Sequence, residues 1–145
     1  MNPRRGLLQA LWAGLCWHST QAWPQWTSEP DLLRPYVGTQ GVQKDRIRLE
    51  LPRLADNGFV VPLKVSWMGA PAQAVQQLVL LSNRNPRPLI ARFAFGPASA
   101  ATSMSTRVRL NGSQTVYALA QWSDGSSFMD HQEVEVTESA CLDQT

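Results

Sequence analysis

From Arg46 onward the chain alternates apolar and polar residues in short runs. Ile47, Leu49 and Leu51 alternate with Arg48 and Glu50, the period of a half-buried strand. Phe59–Trp67 predicts the next strand, with Pro62 marking an edge or a bulge. Val75–Ser82 is almost continuously apolar and fits either a buried strand or a short helix. Leu89–Phe95 places Leu89, Ala91, Phe93 and Phe95 on one side. Ser103–Leu110, Thr115–Trp122 and Phe128–Thr137 complete the series, the last with Val134 and Val136 opposed to Glu133 and Glu135. Asp56-Asn57-Gly58, the proline-bearing Asn83–Pro88, Asn111-Gly112 and Asp124-Gly125 read as turns, because Asn and Gly tolerate positive φ.

About seven short strands at this spacing, with no long helical pattern between them, predict an all-β fold. The expected architecture is an immunoglobulin-like β-sandwich of antiparallel strands over residues 47–137. Its expected core is Val60, Leu63, Val65, Leu78, Leu80, Ile90, Phe93, Val108, Leu110, Val116, Leu119 and Val134. Trp67, Trp122 and Phe128 fall on strands and read as core or half-exposed sheet residues rather than as an aromatic binding patch.

The pattern before residue 47 differs. Arg4 and Arg5 precede a mostly apolar run, Gly6–Trp17, and small or polar residues ending in Ala22. That order predicts a signal peptide over residues 1–22, with an apolar run too short to cross a bilayer. Arg4-Arg5-Gly6-Leu7-Leu8-Gln9 resembles a twin-arginine signal, which predicts export of the folded protein to the periplasm. Residues 23–46 carry Pro24, Pro30, Pro35, Gly38 and Gly41, and few periodic apolar positions. They read as an N-terminal arm that leads into the sandwich or contacts a partner, with a short helix capped by Ser28.

Loss of the signal changes the charge balance. The chain has 13 Lys+Arg and 11 Asp+Glu, and Arg4 and Arg5 leave with the signal. The exported domain is then formally neutral, with no basic cluster to hold nucleic acid. No membrane segment is expected after signal removal. The glycines are scattered as turn residues, so no phosphate loop or dinucleotide fingerprint is present. His131, near Asp130 and Glu133, matches no established zinc spacing, and no metal or cofactor is expected. Asn111-Gly112-Ser113 fits a glycosylation acceptor, but reads as a turn behind a bacterial-type signal.

That leaves the cysteines. Cys16 lies in the segment expected to be cut off, and Cys141 lies just past the last predicted strand, in a tail over residues 138–145. A lone thiol in an oxidising compartment is idle, paired with another chain, or a covalent attachment point. With the last strand ending near Thr137, four residues give the thiol a reach of about 13 Å. Glu138 and Asp143 flank it, and neighbouring carboxylates raise a thiol pKa. If Cys141 does chemistry, a client enzyme is therefore expected to activate it, and the chain is not expected to be an enzyme itself. The competing reading is a non-covalent binding or assembly module whose cysteine forms an intermolecular disulfide.

A series of short runs then becomes recognisable. Leu51-Pro52-Arg53-Leu54-Ala55-Asp56-Asn57-Gly58 is followed by Val61-Pro62-Leu63-Lys64-Val65, Asn85-Pro86-Arg87-Pro88, Ala91-Arg92-Phe93 and Gly96-Pro97-Ala98-Ser99. Ser105-Thr106-Arg107-Val108-Arg109-Leu110, Ser113-Gln114-Thr115-Val116 and Ser123-Asp124-Gly125-Ser126 close the series. In this order and spacing, Leu49–Cys141 resembles SoxY, the sulfur-carrier family of periplasmic thiosulfate oxidation. The resemblance implies a carrier that pairs with a SoxZ-like subunit as a heterodimer. It implies that Cys141 holds sulfur intermediates covalently, and that a haem c-type cytochrome and a sulfate-releasing hydrolase act on it as clients. The tail departs from the family, which typically ends Gly-Gly-Cys-Gly-Gly. Here Ser139 and Ala140 precede the thiol, and Leu142 and Asp143 add bulk and charge beyond it.

Overall fold

Residues 29–37, 41–68, 74–97 and 99–140 are described by a computed structural model. The predicted signal peptide, Cys16, the Ser28 cap and Cys141 lie outside the described residues.

Eight strands form among the described residues: β1 (Ile47–Glu50), β2 (Leu54–Asn57), β3 (Val61–Trp67), β4 (Val75–Ser82), β5 (Leu89–Ala94), β6 (Ser103–Val108), β7 (Gln114–Trp122) and β8 (Ser127–Glu138). They make two sheets, β1-β3-β6 and β2-β8-β7-β4-β5. The all-β sandwich expected from the sequence is therefore present. One strand was not anticipated. Leu54–Asn57 pairs parallel with β8, whereas its residues had read partly as a turn. Only Ala55 of β2 is buried, so no alternation marked it.

The space between the sheets holds the main core. Val61, Leu63 and Val65 of β3 face Leu78 and Leu80 of β4 and Val116 of β7 across it. Val60 had been expected inside, but it is 56% exposed. The inward parity of β3 runs 61, 63, 65, 67, and one residue of slip moves a side chain to the other face. Ile90 and Phe93 are half-buried at the rim. The β4–β5 register shifts between Leu80 and Leu81, and both Ile90 and Ala91 pack against the core there. The other expected core residues are buried. Trp67, Trp122 and Phe128 are core residues, Trp122 meeting Phe128 edge-on at 4.8 Å.

Pro62 sits in the middle strand of the smaller sheet, which a residue lacking an N–H rarely occupies. Its position resolves the conflict. β1 pairs with β3 only as far as Lys64, so at Pro62 the strand has a single neighbour, β6.

The larger sheet is covered on both faces, which explains the unbroken apolar run of β4. Val79, Leu81, Tyr117, Leu119 and Met129 point away from the main core and pack against Leu32 and Leu33. Those two leucines come from helix α1 (Glu29–Leu33), which continues into a 3-10 turn, Arg34–Tyr36. Gln121 Nε2 donates to the Tyr36 carbonyl at 2.9 Å, and the Arg92 guanidinium lies 5.6 Å from the centre of the Tyr36 ring. Leu32 and Leu33, in the segment expected to lead into the sandwich or contact a partner, thus close this chain's own second core. Burying each leucine contributes about 1.5–3 kcal/mol.

On its side away from β7, β8 is bordered along its length by a single stretch of chain. Gln43 bridges Phe128, and Met129 N–H donates to the Gln43 carbonyl at 2.9 Å. Leu49 N–H donates to Asp130 Oδ2 at 2.8 Å, and Gln132 Nε2 donates to the Leu51 carbonyl at 2.8 Å. Beyond them β2 pairs Leu54 with Glu135 and Asn57 with Glu138. Residues 43–57 therefore run alongside the last strand and carry it to Glu138, after β7 has ended at Gln114↔Val134.

Candidate functional site

The chain leading to Cys141 is tied down at one end of the sandwich. Gly58 N–H donates to the Glu138 carbonyl at 2.7 Å, Leu110 N–H to the Gly58 carbonyl at 2.8 Å, and Ala140 N–H to the Leu110 carbonyl at 3.2 Å. Ala140 is fully buried. The last strand thus ends at Glu138 rather than Thr137, and the backbone stays fixed through Ala140. Cys141 follows by one peptide unit, about 3.8 Å between Cα atoms. The four-residue reach expected from the sequence is cut to that single step.

Gly58 makes this knot possible by its size. A Cβ there would lie 2.1 Å from the Leu110 carbonyl oxygen and 2.9 Å from the Ala140 nitrogen. Its φ is not among the positive ones. The sequence flagged the right residue for a different reason, since turn chemistry predicted positive φ and close backbone approach is what the fold uses. Gly112, at φ 84°, and Gly125, at φ 83°, do use the left-handed region in their turns, as does Gly41, at φ 75°, ahead of β1.

A polar network locks the two loops around the knot. Buried Ser82 Oγ pairs with Gln114 Oε1 and accepts from the N–H groups of Arg84, at 3.2 Å, and Asn85, at 3.0 Å. Gln114 Nε2 donates to the Gly112 carbonyl at 3.0 Å and to Asn85 Oδ1 at 3.2 Å. Asn85 also receives the Asn111 N–H at 2.9 Å and donates to the Arg109 carbonyl at 2.9 Å. Ser113 Oγ accepts Val136 N–H at 2.9 Å, continuing the sheet bonding past the start of β7. These bonds tie residues 82–85 and 109–114 to one another and to the end of β8. The sequence marked these loops as turns, and Asn85 and Ser113-Gln114 fall in the runs that carry the resemblance, but nothing in it paired them with one another. Its members are ordinary polar residues, and the bonds that join the two loops span some 24–32 residues.

The surroundings of the knot are mixed in character. Phe59 and Val60, next to Gly58, are exposed. Glu138 and Ser139 are exposed on the tail side. Arg84 Nη1 donates to the Ser113 carbonyl at 2.9 Å. An open groove of about 1120 Å³ runs from Arg84 and Ser113 along β8 to Arg48 and Glu50 on β1. Carboxylates and guanidinium groups both line it, including Arg53, Asp130, Glu133 and Glu135.

His131 lies exposed on β8, its ring stacked on Tyr117 with centroids 5.8 Å apart. Asp130 is occupied in capping Leu49 N–H and His131 N–H. No set of three or more His, Cys, Asp or Glu side chains converges among the described residues.

Comparison with known proteins places these features in a family. The family model described as "Sulfur oxidation protein SoxY" matches residues 34–141. The matched span begins at the 3-10 turn that follows α1 and ends on Cys141. No curated protein sequence matches this chain. Among solved structures, superoxide reductase (neelaredoxin) from Ignicoccus hospitalis aligns over 63% of this chain and 80% of its own, with 19% identity and a TM-score of 0.55. A candidate superoxide reductase from Thermotoga maritima aligns over 67% of this chain and 95% of its own, with 16% identity and a TM-score of 0.57. At such identities the likeness shows a shared sandwich fold alone.

Proposed function

The chain belongs to the SoxY family of sulfur-oxidation proteins, whose members are carriers that act with other Sox proteins, and on that premise we propose that it holds sulfur intermediates covalently on Cys141 in the periplasm. The observation that carries the proposal is the coincidence of two endpoints. The family match ends on Cys141, and the backbone fixation of the fold ends at Ala140. The thiol is thus the first residue past a rigid platform. A carrier gains from this arrangement, because the intermediate is kept at high effective concentration while successive enzymes dock on the same surface.

The chemistry needs no catalytic group from this chain. A partner c-type cytochrome takes two electrons as the Cys141 thiolate and thiosulfate join through a new S–S bond, giving a cysteine thiosulfonate. A partner hydrolase then adds water, releases sulfate and two protons, and leaves a cysteine persulfide. Glu138 is one residue pair from the thiol and Asp143 two residues beyond it, so the clients supply the thiolate-stabilising charge. A SoxZ-like subunit is the expected partner of the sandwich, and twin-arginine export the expected route.

Because Cys141 is one step from a fixed residue, clients must bring their active sites down to the platform rather than receive a long arm. The test is a strain carrying Cys141→Ser. Loss of thiosulfate oxidation with normal amounts of folded protein is expected, and undiminished oxidation contradicts the carrier role. Reduction-sensitive dimers without sulfur adducts would instead support the assembly-module reading.

A further inference from the structure

Each sheet ends in two outer strands, and a free strand edge offers unpaired N–H and C=O groups to any extended chain. Among the described residues, three of these edges are closed or blunted. On β1, Asp130 and Gln132 bond the outward backbone groups of Leu49 and Leu51. β2 is only four residues long and carries Asp56. β5 lies between Pro88 and Pro97, and its pairing with β4 slips between Leu80 and Leu81. β6 has none of these features. Its six residues run in unbroken register with β3, without proline, lysine or bulge. Trp67 N–H donates to the Thr102 carbonyl at 2.9 Å, so by alternation Met104, Thr106 and Val108 bond to β3. The backbone groups of Ser103, Ser105 and Arg107 therefore point out from the free edge.

The side chains beside this edge fix the kind of strand that fits it. Neither β3 nor β6 contains a carboxylate. By the same alternation, exposed Arg107 and Arg109 share the outer face of the sheet with Lys64, whose partner on β6 is Ser105. Among the described residues, none of these three cations makes an ion pair. Glu50, the carboxylate opposite Lys64, stands on β1, two strands from the edge. On the inner face Met104 and Thr106 are half-buried, and Met104 packs against the core.

We propose that the free edge of β6 takes up an extended segment of a partner protein as an added strand. Its acidic side chains lie beside Arg107 and Arg109 on the outer face, and apolar ones alternate with them beside Met104 and Thr106. A second copy of β6 fits poorly, because it brings its own two arginines and no carboxylate. A nucleic acid matches the charge but lacks the alternating donors and acceptors of a peptide backbone. β6 leads into Leu110, whose carbonyl holds Ala140, so the added strand lies beside the fixed end of the sandwich. The inference is independent of what Cys141 carries.

The experiment titrates the purified protein with a short peptide of alternating glutamate and valine, and with its lysine–valine counterpart. In an antiparallel pair, residues that exchange backbone bonds carry their side chains on the same face. The glutamate amides of the bound peptide therefore face β6. N-methylation of the glutamate amides should abolish binding, and N-methylation of the valine amides should spare it. Amide hydrogen exchange should slow at Ser103, Ser105 and Arg107 when the glutamate–valine peptide binds. In about 0.1 M salt, Arg107→Glu should weaken that peptide about tenfold and favour the lysine–valine peptide instead. Arg48→Glu, on β1, should leave the affinity within about twofold. Ser105→Pro removes the central outward donor without touching a bond to β3, and should abolish binding.

No binding of the glutamate–valine peptide at millimolar concentration overturns the proposal, and so does equal binding of the lysine–valine peptide. Equal binding of both N-methylated forms overturns it too, since it means a diffuse anion site and no added strand. Protection of the three β6 amides that rises with protein concentration, without peptide, overturns it in favour of a second copy. If Ser105→Pro does not fold, the two N-methylated peptides decide the matter on the unaltered protein.

Discussion

The Ala140 N–H donates to the Leu110 carbonyl at 3.2 Å, and this bond fixes the chain one residue before the thiol. Gly58 sits beneath it with no room for a side chain. Gly58→Ala should therefore push Leu110 and Ala140 apart and destabilise the fold by about 1–3 kcal/mol. Urea denaturation measures the loss, and amide hydrogen exchange should show Ala140 losing protection before the strand centres do. Unchanged protection at Ala140 would mean that the knot is not what holds the tail.

The network around Ser82 and Gln114 should matter to stability as well as to the site. Gln114→Ala removes one partner each from buried Ser82, from Asn85 and from the Gly112 carbonyl. A cost of about 1–3 kcal/mol is expected, since the buried Ser82 hydroxyl loses the acceptor for its proton. Exchange of the Asn111 amide, which Asn85 Oδ1 receives, should speed up in the same variant.

Leu33 separates two accounts of the N-terminal segment. It packs with Leu32 over Val79, Leu81 and Leu119 of this chain. Leu33→Ala should lower the stability of the isolated protein by about 2–5 kcal/mol. A partner-contacting arm would instead leave the isolated protein's melting temperature unchanged and weaken only its assembly.

Asp124 gives a pH signature for the β7–β8 hairpin. Its carboxylate accepts from Ser126 Oγ at 2.5 Å and from Ser126 N–H at 2.9 Å. The Ser126 side-chain bond is the largest cause, and the backbone bond the next, of a pKa below the usual aspartate value. A depressed pKa in the folded state adds stability above the unfolded pKa and loses it as pH falls through the folded one. The carboxylate is fully exposed, so the effect belongs to the turn and not to the fold. An NMR titration should find Asp124 protonating at lower pH than a free aspartate, and Ser126→Ala should move it upward. Identical titrations in both proteins would remove the Ser126 bond from the account.

The alternation of short apolar runs was enough to predict the sandwich, because β1, β3, β5, β6 and the second half of β8 bury one face in the ordinary way or nearly so. β4 escaped a firm assignment for a physical reason. Its outward residues are covered by α1, so period two vanishes, and nothing local announces that α1 folds back. β2 was hidden because Ala55 is its sole buried residue and its pairing comes from β8, some 80 residues later. At the site, Cys141 could be singled out by counting cysteines and Gly58 by its turn sequence. The role of Gly58 as a spacer, and the bonds that join Asn85 and Gln114, depend on contacts between loops that no local pattern encodes.

The central claim is that Cys141 carries sulfur. Mass spectrometry of the Cys141 peptide, from protein purified out of thiosulfate-grown cells without reductant, tests it most directly. Thiosulfonate and persulfide forms on Cys141, both removed by reductant, are the predicted result. A peptide found only as free thiol or as an intermolecular disulfide would contradict it.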